Sequence, residues 1–139
     1  MLKLNHEKIG ELHVITLSGI LNADTSPGFE SMLAPLCRGP RPLLLIHLPE
    51  LTYISSAGIG CFIGVIKGVR SRGGDIRFSE MDRKVRRVFR LLDMDDFFHF
   101  YDSRGEGIAS FGDGGGRGAE PPPSQESASP PPEAAPSST

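Results

Sequence analysis

Hydrophobic and polar positions alternate at the start of the chain, with Leu2 and Leu4 set apart by Lys3 and followed by Asn5. Alternation of this kind predicts a strand with one face turned to a core. A turn over residues 8–11 and a β-rich run over 12–17 complete a hairpin, which Gly19 should end. The period then changes. Phe29, Met32, Leu33 and Leu36 recur at helical spacing, and Asp24, Thr25 and Ser26 ahead of Pro27 supply a cap and a proline suited to a first turn. Residues 43–48 are apolar except for His47 and lie between Pro42 and Pro49. A short apolar run bounded by prolines predicts a central strand buried on both faces and stopped by Pro49. His47 reads as a structural residue at its end, because no second ligand lies at metal spacing.

Ser55 or Ser56 caps the next helix, which runs to about Arg70. Gly60, Gly64 and Gly68 fall on one face of it, flanked by Ile59, Phe62, Ile63 and Ile66. Each glycine costs about 1 kcal/mol relative to Ala in a helix, and close packing against a neighbouring backbone would offset that loss. Past a turn at Gly73 and Gly74, residues 75–79 alternate as a half-exposed strand. Asp82 caps a helix with Val85, Val88, Phe89 and Leu92 inward and Arg83, Lys84, Arg86, Arg87 and Arg90 outward. Residues 97–101 form a last strand, and Ser103 caps a short helix reaching Phe111. The order β-β-α-β-α-β-α-β-α calls for an α/β fold: a small mixed, mostly parallel sheet packed against about four helices.

Composition divides the chain in two. Residues 1–111 hold all the periodic segments, whereas residues 112–139 are rich in Gly, Pro and Ser and carry no large apolar side chain. Such a stretch has nothing to bury against its ordering entropy, so a disordered tail is expected there. Its acids Asp113, Glu120, Glu126 and Glu133 against Arg117 give it −3, so of the overall −2 the domain carries +1. A nearly neutral domain is not expected to bind nucleic acid directly. Neither a basic head nor a long apolar run points to export or membrane insertion, and the two cysteines lack metal or CxxC spacing. A cytoplasmic protein with reduced thiols is the expectation.

Signatures of catalysis are missing: the chain has no GxSxG, Walker loop, dinucleotide fingerprint or HExxH. Neither an enzyme nor a bound cofactor or metal is expected. One constellation remains, Tyr53, Ile54, Ser55, Ser56, Ala57 and Gly58, which passes from the end of a buried strand into a helix. Helix N-termini carry unpaired N–H groups and partial positive charge, so a phosphate is tolerated there and adds nearly two negative charges. Plain capping alone explains a serine at this point and is the weightier reading on physical grounds.

At this motif the domain resembles the STAS domain of bacterial anti-sigma factor antagonists. The matching segments are SGILN at 18–22 with PGF at 27–29, LTYISSAGIG at 51–60, RGG at 72–74, VRRVFRLLDM at 85–94 and FFHFYDS at 97–103. The resemblance implies a regulatory module that docks on an anti-sigma factor, or a serine kinase with a histidine-kinase-like ATPase fold. A metal-dependent serine phosphatase is a further implied partner. Docking is expected through Asn22, Tyr53, Ser55, Ser56, Ala57, Gly58 and Gly60. The family motif reads Asp-Ser-Ser/Thr-Gly, with the phosphoacceptor directly before Gly. Here Ser55 stands in place of the Asp, and Ala57, which cannot be phosphorylated, occupies the acceptor position. Asn22 and His47 likewise stand where Asp is common. Ser56 and Ser55 are therefore the candidate phosphorylation sites, or the switch is lost and binding is constitutive. The alternative is a STAS scaffold subunit of a larger signalling or lipid-transport assembly without a phospho-switch.

Overall fold

A computed structural model describes residues 1–112, so the tail expected over 112–139 lies, from residue 113 on, outside the described residues. The described chain runs β1 (Leu2–Ile9), β2 (Leu12–Leu21), α1 (Ser26–Cys37), β3 (Leu43–Ile54), α2 (Ser56–Ser71), β4 (Asp75–Ser79), α3 (Arg83–Leu91), β5 (His99–Tyr101) and α4 (Arg104–Ala109). The strands form one sheet in the order β1-β2-β3-β4-β5. β1 pairs antiparallel with β2, and every other pair is parallel. This is the mixed, mostly parallel sheet with its helices that the alternating pattern predicts.

The hairpin is longer than its sequence suggests. Both strands continue to a turn of Gly10 and Glu11 alone, with Ile9 opposite Leu12. Only Gly10 of that pair has positive φ (61°), the signature of a turn that needs glycine first. β2 also passes through Gly19, whose φ of 101° lets the Met1 carbonyl approach where a Cβ would stand.

Odd-numbered β2 residues Ile15, Leu17 and Leu21 meet Leu44, Ile46, Ile76 and Phe78 under α1, α2 and α3. Phe62 lies between Phe29 and Phe78, with ring centroids 5.3 and 5.0 Å away. The opposite face holds a smaller cluster of Leu12, Val14, Leu43, Leu45 and Phe111 beneath α4. Residues 43–46 of β3 are at most 1% exposed, as a central strand requires.

Several expectations are corrected. Pro49 does not end β3, which continues to Ile54. The register jumps from Thr16↔His47 to Ser18↔Glu50, so Pro49 sits in a bulge where the ladder asks for no N–H. A second shift, between Gly19 and Ile20, leaves Thr52 unpaired on the backbone, and its hydroxyl donates to the Gly19 carbonyl at 3.1 Å. β4 is buried at every position rather than half-exposed. Its polar members Asp75, Arg77 and Ser79 are 6%, 1% and 0% exposed, because α4 covers the face expected to meet solvent. There Asp75 takes Arg70 Nε at 2.8 Å and Arg77 Nε at 2.9 Å. Arg77 donates to the Ser110 carbonyl at 2.6 Å and lies under the Phe111 ring, 4.3 Å from its centroid.

On α3, Arg86 is not an outward cation. Its guanidinium carbon lies over the Phe100 ring, 4.0 Å from the centroid, with its Nε buried and without a hydrogen-bond partner among the described residues. Leu92, expected inside, is 41% exposed because the helix ends one residue earlier. The last strand is shorter than expected, His99–Tyr101, with Phe97 in the preceding turn. Asp82 and Ser103 cap their helices, accepting from Lys84 N–H at 3.0 Å and Glu106 N–H at 3.0 Å.

Candidate functional site

Parallel pairing of β2 with β3 brings Leu21 opposite Ile54, so the loops that follow both strands open side by side. Crevices at the carboxyl ends of parallel strands are where open α/β sheets present their binding surfaces. The Ser55 N–H donates to the Leu21 carbonyl at 3.0 Å and ties the two loops together. Gly58 makes this approach possible. A Cβ there would stand 2.8 Å from the Leu21 carbonyl and 2.8 Å from Ile54 Cγ1.

Asn22 opens the first loop as an Asx turn. Its Oδ1 accepts from the N–H groups of Asp24 at 2.9 Å and Thr25 at 3.1 Å. The Asn22 carbonyl accepts from the N–H of Ser26 at 2.8 Å and from its hydroxyl at 2.6 Å. Thr25 is the α1 N-cap position but makes no side-chain cap, since its hydroxyl donates instead to the Ile20 carbonyl at 2.9 Å. Pro27 occupies the first turn as expected. The side-chain oxygen of Asn22 is thus spent on shaping the loop.

The two serines of the second loop separate. Ser55 is the N-cap of α2, with extended backbone and a hydroxyl that accepts from Gly58 N–H at 3.4 Å. Ser56 is the first residue of the helix, is exposed, and has a hydroxyl engaged by nothing among the described residues. Ala57 beside it is exposed, and Tyr53 stands out at 51% exposure. Gly60 continues the exposed face one turn on, whereas Gly58 is buried beneath it. Asn22, Tyr53, Ser55, Ser56, Ala57 and Gly60 therefore belong to one end of the sheet, with Gly58 as the residue that lets them converge.

Periodicity alone misplaced the glycines of α2. Added Cβ atoms at Gly60, Gly64 and Gly68 would meet nothing within 4 Å, so this face packs against no neighbouring backbone. Ile63, grouped by its spacing with the apolar surface of the helix, is 41% exposed beside them. Exposed Lys67 follows on the same side. The result is a smooth, nearly uncharged ridge running from the helix mouth.

Chemistry at this end is sparse. Cys61, one turn below Ala57, is buried with its Sγ 3.6 Å from the Ala57 carbonyl, and burial first of all raises its pKa, so it stays a thiol. His47 lies on the other face of the sheet, in mid-strand rather than at the strand's end expected for it, with its Nδ1 2.9 Å from Ser79 Oγ. Burial lowers its pKa, and Glu80 only partly opposes this. Among the described residues no three His, Cys, Asp or Glu side chains converge as a metal site would require. No helix among them is long and apolar enough to cross a membrane.

The STAS domain family model matches residues 3–107. A protein of Bordetella bronchiseptica named as an anti-sigma factor antagonist, BtrV, is 29% identical over 110 residues, 79% of this chain and 95% of its own length. Among solved structures, an anti-sigma factor antagonist from Mycobacterium paratuberculosis superposes with a TM-score of 0.73 at 18% identity, covering 81% of this chain and 96% of that one. The Bacillus cell fate determinant SpoIIAA in its phosphorylated form gives a TM-score of 0.62 at 18% identity, over 76% of this chain and 96% of that one.

Proposed function

The chain belongs to the STAS domain family, and from that membership we propose a non-catalytic regulatory module that binds a protein partner through the mouth of α2. It is an anti-sigma factor antagonist-like STAS domain. The partner we assign is an anti-sigma factor, or a serine kinase acting as one. The observation that carries this reading is the exposed surface of Tyr53, Ser56, Ala57 and Gly60, which the Ser55–Leu21 hydrogen bond ties to the loop after β2. Small side chains let a partner backbone approach closely, and Tyr53 offers it a large amphipathic anchor.

Control by phosphate is set by the same residues. Ala57 takes the position at which the family motif carries its acceptor, so the ordinary switch is absent from this chain. Ser56 is the better of the two remaining hydroxyls, because Ser55 is engaged in capping. A phosphate on Ser56 would sit at the positive end of α2 without melting it, and would repel an acidic or closely docked partner. Removal of that group by a phosphatase would restore docking.

Isothermal titration against the anti-sigma partner recovered by affinity purification tests the proposal. Ser56→Glu and Ala57→Arg are each expected to weaken binding at least tenfold while circular dichroism stays unchanged. Unaltered affinity in both variants would remove the α2 mouth from the interface. The scaffold reading gains from Ala57 alone, and a stable stoichiometric complex with transporter subunits in a native pull-down would favour it.

A further inference from the structure

The outer edge of β1 has no strand beside it among the described residues, since β1 ends the sheet order. It is a long edge, Leu2–Ile9, and all but Leu2 of it is exposed. Edges of this kind invite pairing unless the sequence opposes it. Three of the protein's exposed large hydrophobic residues lie on this edge: Met1 at 84%, Leu4 at 40% and Ile9 at 40%.

The hydrogen-bond pattern shows which residues face outward. Ile20 N–H donates to the Met1 carbonyl at 3.0 Å, and Met1 would continue the β1–β2 register opposite Ile20. Backbone polar groups alternate sides along an antiparallel strand, so Lys3, Asn5, Glu7 and Ile9 direct theirs toward β2. Leu2, Leu4, His6 and Lys8 direct theirs away from the sheet. An antiparallel partner must therefore match these four against its own outward-facing set.

We propose that β1 pairs with β1 of a second copy of this chain, antiparallel and centred on Asn5, to make one continuous sheet. In that register Leu4 lies opposite His6 and Leu2 opposite Lys8 as hydrogen-bonded pairs. Lys3 lies opposite Glu7, twice by symmetry, at the non-hydrogen-bonded positions where side chains come closest. Ile9 lies opposite Met1, also twice, and the two Leu4 side chains become diagonal neighbours. The edge is thus complementary to itself in both charge and apolar contacts. Sliding the second copy by one permitted step sets Lys3 against Asn5 or Ile9, and both ion pairs are lost. Glu7 already receives Arg104 at 2.8 Å across an exposed contact, and its second oxygen is available to the incoming Lys3.

Sedimentation velocity of the full 139-residue chain over a concentration series is the test. The wild type is expected to approach twice the chain mass as concentration rises. Lys3→Glu and Glu7→Lys each turn both attractive cross-strand pairs repulsive, so each variant alone should associate roughly tenfold more weakly. An equimolar mixture of the two restores opposite charges at all four positions and should recover the dimer. A wild type that stays monomeric at every concentration overturns the proposal. So does a dimer indifferent to the single variants, or a mixture no better associated than its components.

Discussion

The hydroxyl of Ser55 faces the Gly58 N–H at 3.4 Å, while that of Ser56 faces solvent. Sequence alone left the two interchangeable, because either can stand before a helix. Only the extended φ of −104° and ψ of 175° at Ser55 separates the cap from the first helical residue. Ser55→Ala should therefore cost about 1 kcal/mol of stability. Ser56→Ala should change stability by less than about 0.5 kcal/mol, both read from urea unfolding. Equal losses in the two variants would contradict this division of roles. Gly58 admits a sharper test. Its missing Cβ would press on the backbone carbonyl of Leu21 at 2.8 Å, and backbone cannot rotate aside. Gly58→Ala should destabilise the domain by roughly 1–3 kcal/mol, as overpacking does elsewhere.

Elements were legible where one face alone is buried. Spacing places α1, the core of α3 at Val85 and Phe89, and the existence of the hairpin though not its length, because apolar residues recur on the side that meets the core. Failure came where both faces are covered or where neither is. β4 alternates Asp75, Ile76, Arg77, Phe78 and Ser79, which reads as half-solvated; α4 instead buries the polar set in a salt-bridged network. Pro49 signals a strand end only when the strand stays regular, and here a bulge absorbs it. The glycines of α2 share a face, yet spacing cannot tell a packed face from an open one. Their open surroundings make a prediction in the opposite sense to most substitutions. Gly60→Ala, Gly64→Ala and Gly68→Ala should each stabilise the domain by about 1 kcal/mol through helix propensity. A partner seated on this ridge would meet the added methyl groups. The triple variant should therefore melt at a higher temperature yet bind the partner more weakly. Unchanged melting would show that the glycines are already compensated within the fold.

Acid should act on the described domain in two stages, because the perturbed groups that take up protons below neutrality fall into two classes. His13, His47 and His99 all have pKa values lowered from 6.5, with burial the largest cause in each. The unfolded chain therefore takes up these protons at a higher pH than the folded one. Stability from keeping the rings neutral is complete above about 6.5 and falls as pH drops toward the folded values. Asp75 behaves differently. Burial would raise its pKa, but Arg70 and Arg77 outweigh this and hold it below 3.8. Its contribution is complete above 3.8 and disappears only as pH falls through the lower folded value. Urea midpoints measured at one protein concentration should thus decline between pH 7.5 and 5, and decline again below pH 4. Replacing His13, His47 and His99 together by Gln should flatten the first decline and leave the second. Asp75→Asn should lower stability at neutral pH by about 3–5 kcal/mol, because it leaves Arg77, 1% exposed, without its carboxylate. It should also flatten the second decline. A first decline that survives the histidine replacements would assign it to other groups and refute the half-buried imidazoles as its source.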